Sequence, residues 1–397
     1  MNTAQPITQN NRTVIVDVIR GFALFGVLIA NLEGFISFAL PENQAKLLTS
    51  TAADKVTEHF VSLFIEGKFI TIFSMLFGYG FGVLMERVSQ RVLHPNSFFV
   101  RRMIILFLLA LLHIAFWWGE ILNVYAMAGL LMLLFRNVKT KNLIWMGLFL
   151  LFVCGPFVQA LKILFLPPAD KELSASLAAY ENNMLSGNLM SIAKANYKIV
   201  WYIFFERWSQ WRDVAEALGK FLLGYFIFRK GYLQDTGANI TLIKKVFKIA
   251  LIIAMLYLIK KTVIEIFGVS YEGKAFSIID YVFSNIGILS LSLVYCTSLI
   301  QLYHYKQSLK IFPALAAVGM MSLTNYLSQT IFYCLFFYGF GLSMLGKMHM
   351  QLITPLAILL FTLQIFVSLF WMKHFRFGFT EWIWRMLSYN KYIQLTK

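Results

Sequence analysis

His113 is the histidine set well inside an apolar segment, and an acid, Glu120, follows it across Trp117-Trp118-Gly119. An imidazole oriented by a carboxylate can take a proton from a hydroxyl. The same two residues can also be a hydrogen-bonded structural histidine and a solvated acid in the turn that follows. Asn31 stands 11 residues after Arg20, and His113 stands 11 residues after Arg102. At ~1.5 Å per helical residue both lie about 16 Å from the basic residue at their segment's start, so they share a depth. An amide at that depth can stabilise an oxyanion or simply bond a neighbouring helix. A lone buried histidine argues against haem held by two opposed axial ligands.

Other polar groups fall inside apolar runs. Asp17 and Arg20 are three apart, on one helical face. They read as a snorkelling anchor or as an anion partner. Lys68 lies in a second run, where an unpaired ammonium is costly. Glu66, two residues away, faces elsewhere, so another helix must supply the partner of Lys68. Ser322-Leu-Thr324-Asn325-Tyr326-Leu-Ser328-Gln329-Thr330 is a dense polar patch. It suits interhelical packing or a lined cavity. By depth alone, Asn31, Lys68, His113, Glu120, Asn325 and Gln329 converge on one polar cavity opening outward.

The elements that must position these groups are membrane helices. Hydrophobic residues make up 59% of the 397 and charged residues 14%, against roughly 25% charged in a soluble domain. Mean hydropathy is +0.68. The expected fold is an all-α polytopic membrane helix bundle. About ten spans are expected, at 18–40, 60–85, 101–118, 121–136, 142–166, 212–229, 247–267, 280–302, 312–337 and 352–373. The first run is too long for a signal-peptide core and lacks a small-residue cleavage site, so it is expected to remain as a span.

Loops 86–102, 136–141, 229–248 and 303–310 and the tail after 373 are all basic, and all share one parity. The alternate loops 41–59, 167–211 and 268–279 are near balance. The positive-inside rule therefore puts both termini in the cytoplasm. The net charge of +16 has the same origin and implies no nucleic-acid partner. Three organisational units follow: a five-span half at 1–166, an outer loop with an interfacial helix at 167–211, and a second five-span half at 212–397. Trp201, Trp208 and Trp211 suit that interfacial helix. Cys154, Cys296 and Cys334 form no metal or disulfide pattern, so no metal is expected.

Asp17-x-x-Arg20-Gly21-x-Ala23-Leu24-x-Gly26 ending in Asn31 resembles the opening of the YeiB-like bacterial membrane proteins. Lys68-Phe69, Phe73-Ser74-x-Leu76-Phe77-Gly78-x-Gly80, His113 and Gly119-Glu120-Ile121-Leu122-x-x-Tyr125-Ala126 continue the match. Leu323-Thr324-Asn325-Tyr326 and Gly378-x-x-Glu381-Trp382-x-Trp384-Arg385 extend it to the C-terminus. The family usually has Asp at the place of Glu120, and often Gly-Pro before the terminal Glu-Trp.

That family is similar to transmembrane acyltransferases, which move an acyl group from cytoplasmic acyl-CoA to an acceptor across the membrane. Some of these have Arg, ten residues, then His in the first span. Here the second residue is Asn31, as in related sugar acetyltransferases that take their histidine from elsewhere, which leaves His113 as the catalytic candidate. The resemblance implies that Arg87, Arg91, Arg101 and Arg102 hold the CoA phosphates. It implies that His113, Asn31 and Glu120 do the chemistry. Arg20, Asp17, Lys68, Tyr125, Asn325 and Gln329 would then contact substrate. No permanently bound cofactor is expected, and acyl-CoA is the donor substrate. The partners are the lipid bilayer and a glycan or lipid acceptor, with a homodimer allowed, and the location is the bacterial cytoplasmic membrane. The rival reading is a transporter or exporter, which needs the same polar mid-membrane cavity.

Overall fold

A computed structural model describes residues 13–37, 51–166, 182–206, 208–267 and 273–397. The beginning of the loop expected at 41–59, Pro167-Pro168 and Glu272 lie outside the described residues. About four-fifths of the described residues are helical, as an apolar chain without water to satisfy its backbone requires.

In chain order, α1 (Val14–Ser37), α2 (Ala52–Phe64), α3 (Lys68–Ser89), α4 (Pro95–Ile114) and α5 (Leu122–Met132) lead into α6 (Thr140–Phe149). A π-helical turn, Leu150–Cys154, joins α6 to α7 (Gly155–Phe165). Then come α8 (Leu189–Trp201), α9 (Ser209–Arg229), α10 (Ile240–Phe267), α11 (Lys274–Tyr305) and α12 (Ile311–Met320). The last three are α13 (Ser322–Phe337), α14 (Ile353–His374) and α15 (Phe379–Tyr389).

The chain is an all-α polytopic membrane protein. Among the described residues, six stretches are long and apolar enough to cross a membrane, and α12 with α13 make a seventh if the bent pair counts as one span. The segments expected at 121–136, 212–229 and 247–267 are helices too. However, α5 has only 11 residues. Four charged residues, Arg212, Asp213, Glu216 and Lys220, interrupt α9, and several lysines interrupt α10.

Helix α1 is the axis of the bundle. Its Val18, Leu24, Leu28 and Leu32 are fully buried, and it packs against α3, α12, α13 and α14. Glycines allow two close crossings. A Cβ on Gly21 would strike the Leu315 carbonyl, and one on Gly319 the Asp17 carbonyl. Likewise Gly78 of α3 abuts Phe221, and Gly224 of α9 abuts Met75. Small residues let backbones approach where lipid offers no hydrophobic drive between helices. Both crossings join an early helix to a late one, so the sequence halves 1–166 and 212–397 interleave in space.

Helices α12 and α13 meet at an angle of 82°. Such a break frees amides at the start of α13. The Glu381 carboxylate of α15 takes them, accepting from Leu323 N at 2.6 Å and Thr324 N at 3.2 Å. At the opposite end, α8 leans on α4: Asn196 Nδ2 donates to Ala115 O at 3.1 Å and Tyr197 to Leu111 O at 2.6 Å. Trp201, Trp208 and Trp211 are exposed.

Candidate functional site

A cavity of about 760 Å³ runs between α1, α3, α4, α13 and α15. Helix α3 and the turn after it line the cavity from Ile70 to Arg91, a run of about 30 Å at 1.5 Å per residue. One end is basic. Arg20, Arg87, Arg91, Arg102 and Arg385 line it, with Asp17, Glu86 and Glu381 as the acids.

Two of the charged groups are held in place. Arg20 Nη1 pairs with Asp17 Oδ1 at 2.7 Å. The Arg102 guanidinium stacks 3.6 Å from the Trp384 ring, and Trp384 Nε1 donates to the Arg102 carbonyl at 3.0 Å. Glu381 caps α13, so the mouth keeps an excess of positive charge. Farther in, the walls are apolar, with Leu24, Val27, Phe73 and Leu106. Ile121, Leu122, Tyr125 and Tyr326 form the end wall. Tyr125 is fixed there by Ser74 Oγ at 2.8 Å and by donating to Ile70 O at 3.2 Å.

His113 and Glu120 lie behind that end wall. Helix α4 ends at Ile114, and the turn through Gly119 returns Glu120 to the imidazole. Glu120 Oε2 meets His113 Nδ1, and Glu120 Oε1 accepts the amide of Leu122 at the start of α5. The carboxylate thus serves as the cap that α5 lacks in its own first turn. Both residues are buried, His113 at 6% exposure and Glu120 at 3%. His113 Nε2 has no hydrogen-bond partner among the described residues. The Tyr326 ring lies 5.4 Å from the imidazole, centroid to centroid. A histidine with one nitrogen on a carboxylate and the other open can accept a proton at the open one.

The structure brings together Asp17, Arg20, Arg87, Arg91, Arg102 and Tyr125, all on the cavity. The pairing of His113 with Glu120 also forms. The six residues expected to converge on an outward-opening cavity, Asn31, Lys68, His113, Glu120, Asn325 and Gln329, are a separate matter from this one. None of the six lines the cavity, which has its charged mouth at the arginine end. Arg101 is exposed and outside the lining.

Several of these side chains have local partners of their own. Asn31 is half-buried on α1, beyond Val27, the last α1 residue in the wall. Lys68 Nζ donates to the Ser62 carbonyl at 2.7 Å and lies 3.4 Å from the Tyr257 hydroxyl. It therefore helps cap the C-terminal end of α2, where a cation suits the helix dipole. Asn325 Nδ2 donates to Ser368 Oγ at 3.0 Å, and Gln329 Nε2 to Gln364 Oε1 at 2.9 Å. Those two are the hydrogen-bonded seam between α13 and α14.

Sequence reasoning missed Trp384, Tyr389 and the cavity role of Tyr326. The signal for the first two was the spacing of Glu381, Trp384, Arg385 and Ser388 on one helical face of α15.

The chain is 28% identical to a protein of Bacillus subtilis (strain 168), "Uncharacterized protein YxaH", over 420 aligned residues that cover 100% of this chain and 99% of the relative. It is 27% identical over 389 residues to the "Uncharacterized 39.9 kDa protein in amylase 3'region" of Bacillus acidopullulyticus, covering 97% and 96%. It is 28% identical over 398 residues to "Uncharacterized protein YeiB" of Escherichia coli (strain K12), covering 95% and 96%. No solved structure matches. Residues 227–391 match the family described as "Protein of unknown function (DUF418)". That match spans the seam, the α12–α13 break and α15. With its motifs and its full-length likeness to YeiB and YxaH, the chain is similar to the YeiB-like membrane proteins throughout and to the DUF418 family over residues 227–391.

Proposed function

We propose that this protein is an acyltransferase of the bacterial cytoplasmic membrane. In this reading it takes an acyl group from cytoplasmic acyl-CoA and delivers it to a hydroxyl of a glycan or lipid on the outer side. One observation carries the reading: a buried His–Glu pair lies directly behind the end of a cavity whose mouth bears five arginines. The positive-inside rule supports placing that mouth in the cytoplasm.

Arg87, Arg91 and Arg102 suit the phosphates of CoA, since guanidinium and phosphate pair by charge-assisted hydrogen bonds. The apolar passage suits the carrier arm. The thioester carbonyl stops at the end wall. The acceptor hydroxyl attacks it from the other side, the carbonyl carbon gains a bond to that oxygen, and the bond to sulfur breaks. His113 Nε2 takes the hydroxyl proton and returns it to the departing thiolate, so the products are the ester and free CoA. Glu120 holds the imidazole and steadies its positive charge during the transfer.

A second reading, a transporter, draws on the 82° break beside the cavity, because transporter sites are built around interrupted helices. Purified protein separates the two. Acyl-CoA binding with release of free thiol supports the transferase. Solute flux in liposomes with no thioester consumption supports the transporter instead.

A further inference from the structure

We infer that Tyr326 sets the size of the transferred group, and that this group is a short acyl chain of a few carbons rather than a fatty chain. The inference rests on the acyl-transfer reading above. His113 stands behind the end wall, not along the passage. A carbonyl within its reach must therefore stop at that wall, with the carrier arm trailing back toward the arginines. Whatever lies beyond the carbonyl has to fit between the wall and the His113–Glu120 pair.

That space is closely packed. Tyr326, His113, Trp117 and Glu120 are all at most 7% exposed, and Tyr333 is fully buried. A fatty chain has no room on that side, and turning it back along the passage would place it where the carrier arm runs.

Within the wall, Tyr326 is the side chain whose ring meets the His113 imidazole. Tyr125 is anchored by Ser74 and the Ile70 carbonyl. Ile121 and Leu122 begin α5 and hold the Glu120 cap. Tyr326 comes from a different helix, about one turn past the break at Met321, with its hydroxyl against the Ile121 backbone and its ring against His113. A change in its volume alters the end of the cavity and removes no side chain that Glu120 or Ser74 bonds.

The test compares kcat/KM for acetyl-CoA and octanoyl-CoA in the wild type, Tyr326→Ala and Tyr326→Phe. The wild type is expected to favour acetyl-CoA by about tenfold or more, as a pocket filled by one ring rejects added methylenes. Tyr326→Phe keeps the ring and should keep the ratio. Tyr326→Ala should move the ratio toward octanoyl-CoA by about tenfold. Should the alanine variant fail to fold, Tyr326→Leu carries the same expectation with a smaller shift. A wild type that prefers octanoyl-CoA, or a ratio indifferent to Ala and Leu, overturns the inference while acyl transfer stands. A wild type that consumes neither thioester overturns both.

Discussion

Glu381 and Thr324, 57 positions apart in sequence, lock the C-terminal helix onto the broken span. Glu381 Oε2 accepts the Thr324 hydroxyl at 2.5 Å, and Oε1 accepts the amides of Leu323 and Thr324. Thr380 N in turn donates to Thr324 Oγ1 at 3.0 Å. The contact supplies in trans the N-cap that α13 lacks, since Met321 makes no side-chain cap. It also seats α15, and with it Trp384, Arg385 and Tyr389, on the cavity.

Glu381→Ala is therefore expected to lower stability by about 1–2 kcal/mol, the usual worth of a lost cap. Glu381→Gln keeps one acceptor oxygen and should lose less. Thermal unfolding in detergent, compared across the two variants, checks the order. Equal losses would mean that the contact is not a cap.

Lys68 and Lys261 both donate to the Ser62 carbonyl, at 2.7 and 3.2 Å. Either one alone still covers that oxygen. Lys68→Met and Lys261→Met should each be tolerated, while the double variant leaves the carbonyl bare. The double variant is expected to lose about 1–3 kcal/mol beyond the sum of the singles. A double-mutant cycle on thermal stability measures this directly. An additive result would remove the shared-cap account.

Gly78 and Gly80 make a sharp pair of controls. A Cβ at Gly78 would collide with the Phe221 carbonyl, whereas one at Gly80 meets nothing within 4 Å. Gly78→Ala should destabilise by about 1–3 kcal/mol through overpacking, and Gly80→Ala should be near neutral. The folded yield after size-exclusion chromatography is enough to rank them.

The arginine mouth makes a kinetic prediction. Arg87→Gln and Arg91→Gln should raise KM for acyl-CoA and leave kcat nearly unchanged, because they act on phosphates remote from the reacting bond. The effect should shrink as salt rises. A fall in kcat at constant KM would place these residues elsewhere in the cycle.

Much of this arrangement was legible in the residue order, and the reason is physical. Apolar run length marks membrane helices, so α1, α3, α4, α11 and α14 stand where composition puts them. A charged pair separated only by a short turn, His113 and Glu120, has little choice but to meet. The cavity was less legible because counting residues gives depth and not azimuth. Counting puts Asn31, Asn325 and His113 at similar heights, yet Asn325 turns toward Ser368 on α14 and Asn31 lies past the wall. When a helix is apolar all round, no hydrophobic stripe announces which face meets which neighbour. Lys68 shows a related blind spot. Its cost in the membrane was plain, but its acceptor is a backbone carbonyl, which no side-chain pattern reveals.

The most direct measurement is acyl-CoA binding and thioester consumption by purified wild-type protein and by His113→Ala, side by side. His113 lies behind the wall and off the phosphate mouth. The variant should therefore bind acyl-CoA as the wild type does and lose about 10²-fold or more in turnover. Turnover that survives the substitution unchanged would contradict the central claim that the His113–Glu120 pair performs the chemistry.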